Sequence, residues 1–480
     1  MIKKVLPDGS EIQAFPISAP QQFMFYMSAQ YGAKYPVNNI GIGYYIHSVL
    51  DHSAMKEAIM EAVARCDTMR LRFIQDENYR ILQYVKEDSE LIIEEADMSD
   101  ITFEEAKKKL FEISRQEIPT YNCEIHKIML VKLKGGINCI FMRLHHLAMD
   151  AYSAKVFLND IIEIYLSKTQ GLPYPKPMRP YIPVLMKELQ YLSSPEKEAD
   201  KDYWYHSLAD TKEPIFTDYM LDNRLTQQRK EHPHRRFADI HSGSPEADTI
   251  IFNMSKENSE KILRVCDENS LSVCAFLSMG VRTALSVFNN NEEDVSFKMI
   301  INRRGTIAEK KSGGIRINFF PMRSIIKGDM SFKEAVERIT DIQNDIYAHC
   351  SLSFMEMLIE RHKSMPDDAK ADSTYDSVGF SYQPLMEGIE FPGVFCESEW
   401  FNNGASMIPL YLTVKHRTSD KGFNFIFEYR KTPDPSYDIT IFFKKLENAL
   451  LSGAEDIYVK VQHILDNNKI TKEEREKKNG

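Results

Sequence analysis

No two of the seven cysteines form a CxxC pair; they stand alone at positions 66, 123, 139, 266, 274, 350 and 396. That spacing excludes a zinc ribbon and a dithiol redox motif, and an odd, dispersed set predicts buried free thiols in a reducing, cytoplasmic setting. No run approaches the roughly 18 apolar residues of a membrane helix, so no membrane role is expected. Lys3 and Lys4 have no apolar stretch behind them, which argues against a signal peptide. A Gly-rich phosphate loop is also missing. Basic excess is absent too: the net charge of -10 argues against a nucleic-acid surface.

What is present describes a globular protein, with 27% charged and 43% apolar residues. At 480 residues the chain is too long for one ordinary core, and two domains are expected. Periodicity predicts helices over 20–31, 51–65, with Asp51 as cap, and 103–115, and strands over 43–49, 69–73 and 79–85. A hairpin is expected from 123–133 and 137–145, turning at Lys134-Gly135-Gly136, and then a helix from Ala151. The Pro- and Gly-rich stretch 168–182 reads as a linker, followed by helices over 181–191 and 196–208. Residues 210–246, with Arg229, Lys230, His232, His234, Arg235 and Arg236, read as a loop. Helices over 259–266 and 272–287 and a strand over 295–301 follow. A second hairpin (410–416 and 423–429) and a helix over 437–451 repeat the earlier order. The expected division is a lobe over 1–175, a linker with bridging helices over 176–210, a second lobe over 211–465 and a charged tail over 466–480, frayed from Lys469 onward.

The chemistry concentrates in Arg143-Leu144-His145-His146-Leu147-Ala148-Met149-Asp150-Ala151-Tyr152-Ser153. Successive strand residues point to opposite faces, so His145 shares a face with Arg143, Phe141 and Cys139, and only one of the two histidines can face a given site. Asp150 stands where a helix cap belongs. Three readings stay open on these residues alone: a catalytic histidine, core histidines beside a capping aspartate, and a metal site. Divergent histidines with no further ligand at suitable spacing argue against the metal.

The His-His-x-x-x-Asp stretch resembles the HHxxxDG motif of the condensation-domain and chloramphenicol-acetyltransferase superfamily. Residues 19–25 (Ala-Pro-Gln-Gln-Phe-Met-Phe) resemble its SxAQxRLW element, and residues 65–73 its RHExLRTxF element, with both key arginines kept. Residues 314–323 resemble GxFVNTLPLR, and residues 378–383 a late FNYQ-like strand. The five elements keep the family's order and span nearly the whole chain. The resemblance implies an α+β fold of two chloramphenicol-acetyltransferase-like α/β-sandwich lobes, a V-shaped pseudo-dimer with a central tunnel. It implies that His146 serves the incoming nucleophile, with His145 and Asp150 completing the catalytic motif. Asp150 is expected to pair with Arg70, and Asn318, Ala151 and Ser153 to support the site. Ala151 replaces the motif's glycine, either straining a left-handed backbone or narrowing the approach of the acyl chain.

The reaction implied is acyl transfer from a thioester to an amine, forming an amide; an ester-forming O-acyltransferase and a non-catalytic carrier- or ligand-binding relative are the alternatives. No tightly bound cofactor and no metal are expected. The donor is expected on the phosphopantetheine arm of a carrier protein or on coenzyme A. Carrier Gly-x-Asp-Ser and adenylation motifs are not found, so a free-standing, monomeric domain is expected, with a small amine or alcohol as acceptor.

Overall fold

The computed structural model describes residues 2–31, 35–89, 91–207, 218–221, 231, 244–363, 377–384, 391 and 393–479. The six basic residues of the expected loop, from Arg229 to Arg236, lie outside the described residues. The chain divides into interleaved compact units rather than two unbroken ranges. One comprises Met1–Pro195, Arg304–Ile317 and Met386–Ala405, and the other Glu196–Arg303, Asn318–Leu385 and Ser406–Gly480.

The first unit opens with β1 (Ile2–Val5), β2 (Glu11–Pro16), α1 (Ala19–Tyr31), β3 (Asn39–Ile46) and α2 (His52–Ala64). Next come β4 (Leu71–Gln75), β5 (Ile81–Val85), β6 (Ile93–Met98), α3 (Phe103–Ser114), β7 (His126–Leu133), β8 (Asn138–His145), α4 (Ala151–Gln170) and α5 (Tyr181–Tyr191). A small sheet has the order β1-β2-β5-β4, and the main one β13-β3-β8-β7-β6, where β13 is Cys396–Phe401. The late strand β13 runs antiparallel along β3, Trp400 opposite Ile42, which explains why residues near 400 belong to this unit.

The helices form for the reasons their sequences give. Asp51 accepts from the Ala54 N–H and caps α2, whose Met55, Ala58, Ile59, Ala62 and Val63 form one buried stripe. Thr102 and Glu105 cap α3 reciprocally. On α4, Phe157, Ile161, Ile164 and Tyr165 are buried as the helical spacing predicts, and the helix ends where Gly171 turns left-handed. Burying each such side chain contributes about 1.5–3 kcal/mol. The guanidinium of Arg65, at the end of α2, is paired with Asp160 of α4 and ties the two helices together.

The second unit carries a mixed six-stranded sheet, β11-β10-β12-β14-β15-β9. These strands are β9 (Ala247–Asn253), β10 (Asp294–Asn302), β11 (Ile317–Ile325), β12 (Val378–Gln383), β14 (Leu410–His416) and β15 (Phe423–Arg430). Its central helix, Val273–Phe288, is buried at every position from Ala275 onward, including Arg282, whose guanidinium donates to the Glu292 and Glu293 carbonyls. The antiparallel pair β14–β15 and the helix Ser436–Glu455 repeat the order of β7–β8 and α4, as the sequence predicts.

Several expectations are corrected. The charged tail is a helix over Lys472–Asn479 rather than frayed. Thr471 and Glu474 form a reciprocal cap, and Lys445 and Lys478 pair with Glu474 and Asp438. Met69 lies in a short 3-10 turn, Asp67–Arg70, and not in a strand. Of the seven free thiols, Cys66, Cys139 and Cys266 are buried and the other four half-buried. Among the described residues, no single helix is long and apolar enough to cross a bilayer.

Candidate active site

Strand β8 is buried along its whole length between β3 and β7, and the two histidines come where it ends. The chain then turns tightly, with the Ala148 and Met149 N–H groups both donating to the His145 carbonyl at 3.0 and 3.2 Å. His145 is buried, and its Nδ1 accepts the Leu147 N–H at 3.1 Å, which fixes the proton on Nε2. Burial, with the imidazoles of His146 and His126 beside it, pushes its pKa down to about 3. His145 is therefore a neutral brace inside the turn.

His146 is half-buried, and its backbone N–H donates to the Asn38 carbonyl at 2.8 Å. Its Nδ1 is buried and makes no hydrogen bond of ordinary geometry. Burial pushes this imidazole down to about 4, against the opposing pull of the Asp150 carboxylate and the Met149 backbone. At neutral pH it is an uncharged ring with a lone pair.

Asp150 is fully buried and collects five hydrogen bonds. Arg304 Nη1 and Nη2 donate to its two oxygens at 2.8 and 2.9 Å, and the Arg316 N–H at 2.9 Å. The Ser153 N–H donates at 3.0 Å, and the single Ser153 Oγ proton is shared between this carboxylate at 3.0 Å and the Gly314 carbonyl at 3.1 Å, while Ser153 Oγ accepts the Asp150 N–H at 2.9 Å. Asp150 thus is the cap of α4, and it is also an ion-pair partner. Burial alone would raise its pKa, but Arg304 and the hydrogen bonds outweigh it and hold the carboxyl below its ordinary value. The Tyr152 ring lies 4.8 Å from the Arg304 guanidinium carbon, covering the pair.

The partner of Asp150 is thus Arg304 and not Arg70. Arg70 Nη1 donates instead to the Lys86 and Glu87 carbonyls at 2.9 and 2.6 Å, and Nη2 to Asp67 at 3.4 Å. The 3-10 turn at Asp67–Arg70 explains this, because it aims the side chain at the end of β5. Sequence reasoning missed Arg304; its signal was the pair Arg303-Arg304 closing the apolar strand β10 and leading into Gly313-Gly314.

Gly314 joins the two halves of this arrangement. Its N–H donates to the Ala148 carbonyl at 3.1 Å, and its carbonyl accepts from Arg304 Nη2 at 2.9 Å and Ser153 Oγ at 3.1 Å. Its φ of +100° and a Cβ that would sit 2.7 Å from the Tyr181 ring both demand glycine. Ala151 is the first residue of α4 and has an ordinary helical backbone, which removes the strain alternative raised by its replacing glycine. Asn318 lies in the second unit, where its amide donates to the Cys350 and Leu352 carbonyls at 3.2 and 2.7 Å and supports that loop. Among the described residues no group of three or more His, Cys, Asp or Glu side chains could hold a metal.

Chemically, the arrangement offers one neutral imidazole at a strand end, on a turn that an ion pair and a ring of backbone hydrogen bonds hold in shape. The family model for the Condensation domain matches residues 11–457. Surfactin synthase subunit 1 of Bacillus subtilis (strain 168) is 24% identical over 452 residues, 92% of this chain but 12% of that protein. Gramicidin S synthase 2 of Brevibacillus brevis is 21% identical over 361 residues, 71% of this chain and 8% of its own length. The chain therefore spans a small fraction of these relatives. Among solved structures, the first condensation domain of the calcium-dependent antibiotic synthetase, in complex with a substrate analogue, superposes with a TM-score of 0.77 at 17% identity, covering 94% of this chain and 99% of that one. The starter condensation domain of rhizomide synthetase RzmA, mutant R148A in complex with C8-CoA, gives 0.76 at 16% identity over 94% and 97%.

Proposed function

The chain belongs to the condensation-domain family of acyltransferases, and from that premise we propose that it joins an acyl thioester to an amine, with His146 assisting the amine. The acyl donor is carried on coenzyme A or on the phosphopantetheine arm of a carrier protein. The amine nitrogen attacks the thioester carbonyl carbon and the C–N bond forms. The nitrogen's proton passes to the His146 lone pair, the C–S bond breaks, and the departing thiolate takes up the proton. The product is an amide and a free thiol.

The observation that supports this reading most is the electrostatic contrast within five residues. Asp150 is held anionic by Arg304, while His146 is held neutral and half-exposed. A neutral imidazole is the form that can accept a proton, and its lowered basicity sets its contribution toward the low end of the about 10²–10⁴-fold range of general bases. Holding amine and thioester together supplies up to about 7–11 kcal/mol more. Asp150 is too enclosed to touch substrate; its role is the shape of the turn.

The test is product mass. Purified protein meets octanoyl-CoA and octanoyl-carrier thioesters with free amino acids, aminoacyl thioesters of N-acetylcysteamine and simple alcohols, and products are read by LC-MS. A new mass equal to acyl plus amine less the thiol is expected. A new mass from the alcohols alone would replace amide with ester formation, and no product from any pair would overturn the reading.

A further inference from the structure

We propose that Gln21, held by Gln83, is a positioning residue for His146; this rests on the reading of His146 given above. Both glutamines are fully buried, and nothing in the reaction uses them. Their side-chain amides exchange hydrogen bonds, each Nε2 donating to the other's Oε1 at 2.9 Å. The second N–H of Gln21 donates to the Leu147 carbonyl at 2.8 Å, inside the turn that carries His146. Its Oε1 also accepts the Ser18 N–H at 2.8 Å, and Gln83 Nε2 donates to the Pro16 carbonyl at 3.0 Å. The Tyr181 hydroxyl reaches Gln83 Oε1 at 3.5 Å.

This network fixes which end of each amide is nitrogen. Rotating the Gln21 amide by half a turn would set oxygen against the Leu147 carbonyl and N–H against the Ser18 N–H. Only an amide meets the demand, since Nε2 must donate two hydrogen bonds while Oε1 accepts two. A carboxylate would repel Leu147, and an apolar side chain would leave a buried carbonyl unsatisfied. Neither the His145 brace nor Gly314 engages the Leu147 carbonyl, so Gln21 is what anchors it. That carbonyl lies one residue beyond His146, so releasing it lets the imidazole swing. A misplacement of about 1 Å far from the chemistry can cost about 10²-fold in rate.

The experiment compares Gln21→Met and Gln83→Met with the native protein, each alone and in the His146→Ala background. Any donor–acceptor pair of the panel that turns over serves as substrate, and circular dichroism checks the fold. The expected result is a kcat lowered about 10- to 100-fold for Gln21→Met with KM changed less than about twofold. In the His146→Ala background the same substitution should change the residual rate little, because it acts through the histidine. Equal loss in both backgrounds, or no loss in the native one, would overturn the inference. Full activity of His146→Ala would instead overturn the role given to the histidine. A readout independent of turnover is the Cε1–H resonance of His146 in histidine-labelled protein, identified by its disappearance in His146→Ala. It should move in Gln21→Met, or in Gln83→Met should the first variant fail to fold, and an unmoved resonance overturns the inference.

Discussion

Arg304 closes both terminal nitrogens on the two oxygens of Asp150, across 154 residues of sequence, with side chains 1% and 0% exposed. A bidentate pair so enclosed has no water to replace a missing partner. It therefore fixes where residues 304–317 meet the start of α4, and with them the turn that presents His146.

Removing one partner strands a buried charge, which costs about 3–5 kcal/mol. Asp150→Ala and Arg304→Ala are each expected to lose that much in urea denaturation. Arg70→Ala, whose side chain bonds mainly to two carbonyls near the surface, should lose about 1 kcal/mol. An equal loss at Arg70 would contradict the assignment of Arg304 as the partner.

Gly314→Ala meets two obstacles, a backbone at φ +100° and the Tyr181 ring 2.7 Å from the new methyl. The left-handed conformation alone costs about 1–2 kcal/mol, and overpacking adds about 1–3 kcal/mol. The melting temperature should fall accordingly. The variant should also lose rate, since the Gly314 carbonyl is shared by Arg304 and Ser153.

Three histidines make the fold acid-sensitive. His126, His145 and His146 have pKa values pushed down by burial to about 4, 3 and 4. Unfolded, each returns to about 6.5 and binds a proton the native state refuses. Their contribution is full above pH 6.5 and falls as pH drops through the window from about 6.5 to 4, by at most about 1.4 kcal/mol per pH unit for each histidine. Asp150, whose pKa is depressed, adds a loss only below about pH 4. Urea midpoints between pH 5 and 7 should therefore shift steeply, and less so in a His126→Gln variant. A flat profile would contradict the burial of these rings.

With His146 neutral above about pH 4, the acid limb of kcat/KM should belong to the amine and not to the enzyme. An α-amino acceptor, protonated below about pH 8, should set that limb, and an acceptor of lower amine pKa should move it to lower pH. A limb fixed near pH 6.5 for every acceptor would contradict this.

Much of the first unit was legible because its signals are local. Asp51 and Asp150 each cap the helix that follows, and the apolar run ending at His145 is the strand it reads as. The partner of Asp150 was not legible, because nothing local joins residue 150 to residue 304, and the resemblance pointed to Arg70 instead. Strand β13 was missed for a similar reason: Cys-Glu-Ser-Glu-Trp-Phe is half polar, and its strand character comes from pairing with β3, 350 to 360 positions away. The tail helix was legible in principle, since Thr471 and Glu474 spell a cap, but its charge masked the signal. Gln21 lay within a recognised element, yet its bond to Leu147 needed coordinates.

The most direct measurement is the single-turnover rate of His146→Ala beside the native protein, using the amine and thioester that give product, with thermal melting of both. An unchanged fold is expected, since the His146 side chain makes no hydrogen bond of ordinary geometry through its buried Nδ1, together with a rate lower by about 10²–10⁴-fold. A folded variant working at the native rate would contradict the role given to His146.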